Sequence, residues 1–332
     1  MPDLIKTTII ATFFLTFGST SFSTEKPTLT VYSYDSFTSE WGPGPKLKQA
    51  FERQCQCNLE FVPFADGVTM FNRLRLENNG SKADVVIGLD NHLLQEAAES
   101  GLFAANSVDL SPLALPIEWS DRTFVPYDYG QYAFIYDRNK LKNPPKSLTE
   151  LVERQDLNII YQDPRTSTVG RGLLAWINAV YPPDQVAQAW QTLAKHTVTV
   201  GKGWSETYGA FLKGEADLVL SYNTSPLYHQ IHEQKGNYIA AEFAEGHIVQ
   251  IELAATLKNS RQPELADRFL AFLISPDAQK TIALHNIMLP VINTDIEPHF
   301  DQFTPAKTLK VPFPDKNSST LQIRQWQHAL SQ

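Results

Sequence analysis

Short apolar runs and amphipathic stretches take turns along this chain. Residues 29–34, 59–64 and 83–89 are apolar runs of strand length. The third is apolar through its centre, as strands buried on both faces of a parallel sheet are. Between them, residues 45–53 set Leu47, Ala50 and Phe51 on one helical face, and residues 68–77 carry Val68, Phe71, Leu74 and Leu76. A polar turn, Asp35-Ser36-Phe37, leaves the first strand, and residues 91–100 predict a further helix closed by Gly101. The order strand–helix–strand–helix–strand predicts a parallel sheet with right-handed crossovers.

An aperiodic stretch at 106–119 interrupts the pattern, and two extended runs, 123–127 and 131–136, then flank Asp128-Tyr129-Gly130. A capped helix start is expected around Ser147. A second α/β set follows: strand 158–161, helices 170–180 and 183–196, strand 197–200, helix 207–214 and strand 216–221. Strand 247–255 and helices 263–273 and 276–284 come last. The chain therefore reads as two α/β lobes, each a mostly parallel sheet flanked by helices, joined by extended crossings near 123–136 and 247–255. Residues 24–127 are expected to form the first part of lobe I and 128–252 lobe II. Residues 253–332 are expected to return to lobe I and end in a tail. The cleft between lobes is the default ligand site.

Charge and the chain's beginning narrow the class. A net charge of -8, with no basic cluster interleaved with aromatics, argues against a general nucleic-acid binder. Residues 7–17 are mostly apolar, and small residues follow up to Ser23. That order is a secretory signal, residues 1–23, with cleavage expected near Ser23. A membrane anchor would need about 20 apolar residues, more than this run supplies. Residues 24 onward are expected to be exported and soluble. Cys55 and Cys57 are the chain's two cysteines. In an oxidising compartment they read as a tight local disulfide or as a free pair, and spacing leaves that choice open.

The most informative stretch is Gly203-Trp204-Ser205-Glu206, followed after one helix and one buried strand by Tyr222-Asn223-Thr224-Ser225-Pro226. An aromatic opens the helix, and a second aromatic with polar neighbours leaves the strand. Open α/β sheets bind ligands there, beyond the carboxyl ends of their strands. Stacking faces and hydrogen bonds without a nucleophile point to binding of a flat, cationic small molecule rather than its conversion. Asp66-Gly67 reads either as a helix N-cap or as a carboxylate that accepts from a ligand amine. Residues 163–172, with Ser167 and Thr168 before a helix, read either as capping alone or as an anion site able to take a phosphate ester. His229 and His232 are expected to be solvated, with no third residue in register for a metal.

Taken together, several stretches make the chain resemble the periplasmic thiamine-binding proteins of bacterial ABC importers, which have the type 2 periplasmic-binding fold. They are 29–37, Trp41-Gly42-Pro43-Gly44-Pro45, 81–86, 161–168, 202–206 and 221–226, so the resemblance runs from about 28 to 290. It implies capture of thiamine, with its mono- and diphosphate, and delivery to a membrane permease and its ATPase. It further implies a monomer, no cofactor, no metal and a periplasmic location. Carried over by position, the pocket would use Tyr34, Asp66, Gly67, Ser167, Thr168, Trp204, Tyr222, Asn223, Thr224, Ser225, Pro226 and Tyr228. Relatives place a tryptophan where this chain has Ile287, so one stacking wall is missing or replaced. The competing readings are a thiamine-degrading enzyme on the same kind of fold, which needs an activated cysteine in the cleft, and a binder of another cation such as a polyamine.

Overall fold

Nine strands form one hydrogen-bonded sheet in the computed structural model, which describes residues 26–331. The expected signal segment lies outside these residues. The strands are β1 (Thr28–Tyr34), β2 (Asn58–Phe64), β3 (Val85–Asp90), β4 (Phe124–Asp137), β5 (Ile159–Gln162), β6 (Thr197–Gly201), β7 (Leu218–Tyr222), β8 (Tyr238–Ala240) and β9 (Val249–Thr256). Their order is β2-β1-β3-β9-β4-β7-β5-β6, with β8 beside the far end of β4. Pairs β1–β2, β1–β3, β5–β6 and β5–β7 are parallel, and every pairing of β4 or β9 is antiparallel. The fold is thus mixed α/β, and its two parallel segments are stitched together by two long antiparallel strands.

β4 does the stitching. The two extended runs expected around Asp128-Tyr129-Gly130 are a single 14-residue strand. Its first part, Phe124 to Gln131, pairs with β9, and its second, Tyr132 to Tyr136, pairs with β7. The register shifts between Pro126 and Asp128. That irregularity is where a proline, which cannot donate to the ladder, is tolerated inside a sheet. Each half has its own core. Phe37, Phe51, Val85 and Phe269 pack one face of the first half, and Phe71, Val86 and Leu253 pack the other. Tyr161, Leu173, Trp176 and Trp190 fill the second half.

The chain's last part departs from the expected course. Helices Pro263–Leu273 and Pro276–Asn286 do pack on the first half. From Leu289, which bridges Tyr129, the chain then crosses to Thr308, which pairs with His247. A helix not foreseen, Lys316–Leu330, ends on the second half, against helices Thr168–Val180 and Val186–Ala194. Trp326 anchors it, buried and donating from Nε1 to the Tyr161 hydroxyl at 3.2 Å. The expected return to lobe I left the tail unplaced; its last helix packs with the second core, where Trp326 lies. Cys55 and Cys57 form a disulfide at the end of helix Gly44–Cys55, which resolves the open choice, and Gln56 between them is left-handed at φ 55°.

Candidate ligand-binding cleft

In both halves the parallel strands end at the same gap. Tyr34 closes β1, Asp66 follows β2, Gly203 follows β6 and Tyr222 closes β7. The cleft they border is about 290 Å³. Of the residues named from sequence, Tyr34, Asp66, Thr168, Trp204, Tyr222, Ser225 and Tyr228 line it. Gly67, Ser167, Asn223, Thr224 and Pro226 are not on its wall. Each of the five has a packing or bonding role in the protein itself, beside its expected place at the ligand. A side chain at Gly67 would come within 2.0 Å of the Gly88 carbonyl, so this glycine permits close packing. Asn223 is bonded to Gln131 at 2.7 Å and holds β7 to β4. Thr224 is fully buried, and Pro226 sits in the first turn of helix Ser225–Glu233.

Trp204 is fixed on two sides. One ring face stacks on Tyr208 at 4.8 Å and 15°, and Nε1 donates to the Ser221 hydroxyl at 2.7 Å, which in turn bonds Ser225 at 2.7 Å. Such a platform costs little further entropy when a flat ligand stacks on it. The half-exposed Trp41 approaches Trp204 at 6.2 Å and Tyr228 at 6.5 Å. Tyr222 stacks on Tyr132 at 5.7 Å. Behind Trp204, the Tyr208 hydroxyl meets His229 Nε2 at 2.9 Å, and His229 Nδ1 meets Glu233 at 2.9 Å. His229 is therefore buried and bonded, not solvated as expected, and burial holds its pKa below the ordinary histidine value against the pull of Glu233. His232 is exposed and bonds the Leu284 carbonyl.

Asp66 does more than cap one helix. Its Oδ1 accepts from the backbone N–H of Gly67 at 2.7 Å and of Thr168 at 2.9 Å, and from the Thr168 hydroxyl at 3.2 Å. Its Oδ2 accepts from Ser167 Oγ at 2.8 Å and from the Trp204 N–H at 3.3 Å. Gly67, Thr168 and Trp204 each begin a helix, so one carboxylate serves three helix N-termini and ties the two halves together. At Ser167-Thr168, read from sequence as capping alone or as an anion site, Ser167 caps the helix by accepting from the Gly170 N–H, and the free donors bond the protein's own Asp66 carboxylate. Burial pushes Asp66 up to about 6 despite these donors.

The floor is acidic. Tyr34 and Tyr127 both donate to Glu252 Oε2 at 2.7 Å, and Asn286 Nδ2 donates to Asp128 at 2.7 Å and to the Tyr34 hydroxyl at 2.9 Å. Among the described residues, the cleft lining includes Asp35, Asp66, Glu233 and Glu252 but no lysine or arginine. Ile287 lines the cleft as the left-handed cap of helix Pro276–Asn286, at φ 56°, and puts no ring there. Sequence reasoning missed Trp41, Tyr208, Glu252 and Asn286. Two of them carried a signal. Tyr208 follows Trp204 by one helical turn, and Glu252 is a charge inside the apolar run Ile251-Glu252-Leu253.

A two-lobed α/β molecule with a preformed aromatic and acidic cleft at its hinge is built to take up a small solute. The family model described as bacterial extracellular solute-binding protein matches residues 42–280, and the chain belongs to that family. It is 58% identical to the thiamine-binding periplasmic protein of Haemophilus influenzae, with 99% of each chain covered. It is 55% identical to the thiamine-binding periplasmic protein of Escherichia coli (strain K12), covering 92% of this chain and 94% of that one. The solved structure of a periplasmic thiamin binding protein superimposes with a TM-score of 0.88 at 54% identity, over 92% of this chain and 97% of that one.

Proposed function

We propose that this chain captures thiamine in the periplasm and hands it, unchanged, to the permease and ATPase of an ABC-type importer. The observation that carries the reading is the cleft's chemistry: stacking faces from Trp204, Tyr222, Tyr34 and Tyr228 beside buried carboxylates, with no lysine or arginine on the described lining. Thiamine is flat and carries a fixed positive charge on its thiazolium ring. Each aromatic face is worth about 0.5–2 kcal/mol to such a cation, depending on desolvation. The names of the relatives, aligned over nearly their full length, point to the same ligand. Closure of the halves about β4 and β9 would bury the ligand and present the closed form to the permease. The sulfurs of Cys55 and Cys57 are bonded to each other and neither residue lines the cleft, so no cysteine nucleophile is at hand there.

The mono- and diphosphate esters belong to the proposal as secondary ligands. Because Asp66 already occupies the helix N-termini, a phosphate is expected to add little to the affinity for thiamine itself. Titration calorimetry with thiamine, its two phosphates, spermidine and ferric ion tests the reading. The expected result is submicromolar binding of thiamine, weakened about tenfold or more by Trp204→Ala. No heat with thiamine, or stronger heat with spermidine, would reject it.

A further inference from the structure

Two carboxyls are buried side by side at the hinge with no cation paired to them among the described residues. Asp128 on β4 and Glu252 on β9 are register partners on the two crossing strands, a placement that sets like charges directly opposite each other. Both are buried. Asn286 Nδ2 bridges them, at 2.7 Å from Asp128 and 3.3 Å from Glu252. Asp128 Oδ1 is buried with no hydrogen-bond partner among the described residues. Glu252 lines the cleft, so the pair opens to the ligand on one side only.

We propose that this pair is the subsite for the ligand's positively charged ring, and that it holds a shared proton when the cleft is empty and releases it when the cation enters. This rests on the thiamine reading above. Two adjacent buried carboxylates without a counter-charge do not both ionise, because the second charge has neither solvent nor partner. The groups that face them from every packed element leave the balance negative or neutral. Tyr34 on β1 and Tyr127 on β4 give neutral hydroxyls, and Asn286 gives a neutral amide. Asp90 at the end of β3 adds a further negative charge acting on Glu252. His285, next to Asn286, is held below the ordinary histidine pKa by burial, so it stays neutral at pH 7. Arg171 acts on Asp90, but its guanidinium is paired with Glu96 at 2.8 Å. Burial first, and then the charge of Glu252, push Asp128 well above the ordinary carboxylate range, in keeping with this geometry. A thiazolium docked on Glu252 supplies the missing charge, both carboxyls can then ionise, and the proton leaves to solvent.

The test is calorimetry of the mature protein with thiamine at pH 7.5 in phosphate and in Tris, two buffers with very different heats of ionisation. The slope of apparent enthalpy against buffer enthalpy counts the protons exchanged. Close to one proton released per thiamine is expected, and none for the neutral aminopyrimidine half of thiamine. The affinity for thiamine should fall by up to about tenfold per pH unit on acidification. Glu252→Gln and Asp128→Asn should each abolish the release and weaken thiamine by about tenfold. If either variant fails to fold, the contrast between thiamine and its neutral half decides alone. Thiamine binding with no proton release would overturn this inference and leave the thiamine reading standing. Absence of thiamine binding would overturn both.

Discussion

Asp66 shows how one side chain can carry two readings from sequence and answer to both only in part. Its place between a strand and a helix marked it as a cap or a ligand acceptor, and it is indeed a cap and on the cleft wall. The sequence could not show that Thr168 and Trp204, far along the chain, would bring two more helix starts to the same oxygens. With five donors on two oxygens, Asp66 has no acceptor capacity left for a ligand amine. Its substitution should therefore register in stability before affinity. Asp66→Asn turns an amide N–H₂ toward donors that expect an oxygen, leaving at least one buried N–H unpaired. A loss of about 2–3 kcal/mol in unfolding free energy without ligand is expected, read by urea denaturation. Unchanged stability with weakened thiamine binding would return Asp66 to the role of ligand acceptor.

Among the elements, those with clean periodicity were legible and those without it were not. Helix Pro263–Leu273 was foreseen to the residue because its apolar stripe and N-terminal proline agree. Helix Lys316–Leu330 was missed for a physical reason. Asp315 caps it by accepting from the Ser318 N–H, but Leu321 and Leu330 face outward, and only Ser319, Trp326 and Ala329 are buried. A stripe so thin gives no helical signal, and one tryptophan does the anchoring. The cleft suffered likewise: residues at strand ends were found, whereas Trp41 and Asn286 come from a loop and a helix end that only the tertiary fold aims inward. Trp326→Ala removes the anchor and its bond to Tyr161, and should cost about 3–5 kcal/mol in chemical denaturation. Trp326 lines no part of the cleft, so thiamine affinity measured by calorimetry should stay within about twofold.

At the scale of the whole molecule, the two lobes were readable because each repeats the strand–helix alternation, but the hinge was not, since its polar groups are buried by chain crossings distant in sequence. Asp90 and His92 at the end of β3, Tyr132 on β4 and Gln250 on β9 meet there, and Gln250 donates to Asp90 at 2.8 Å. This makes stability depend on pH in two opposed ways. Burial pushes Asp90, like Asp66, from 3.8 to about 6, so each favours the folded state at low pH and loses that contribution as pH rises through about 6. His92 runs the other way. Burial, then the charge of Arg171, lower it from 6.5 to about 4, so its contribution is present above pH 6.5 and is lost as pH falls toward 4. Below pH 6.5 the unfolded chain takes up a proton that folded His92 refuses, at a cost on the order of 3 kcal/mol by pH 4. Neither ring nitrogen of His92 has a partner among the described residues, so a ring of similar size that cannot titrate should be tolerated. His92→Phe is therefore expected to match the parent near pH 7.5 and to gain on it steadily as pH falls from 6.5 to 4. Urea denaturation of both proteins at each pH reads the difference directly, because every other titrating group is common to the two. A stability gap that stays constant across that range would mean that folded His92 takes up its proton over the same pH range as the unfolded chain, so that burial does not hold it neutral.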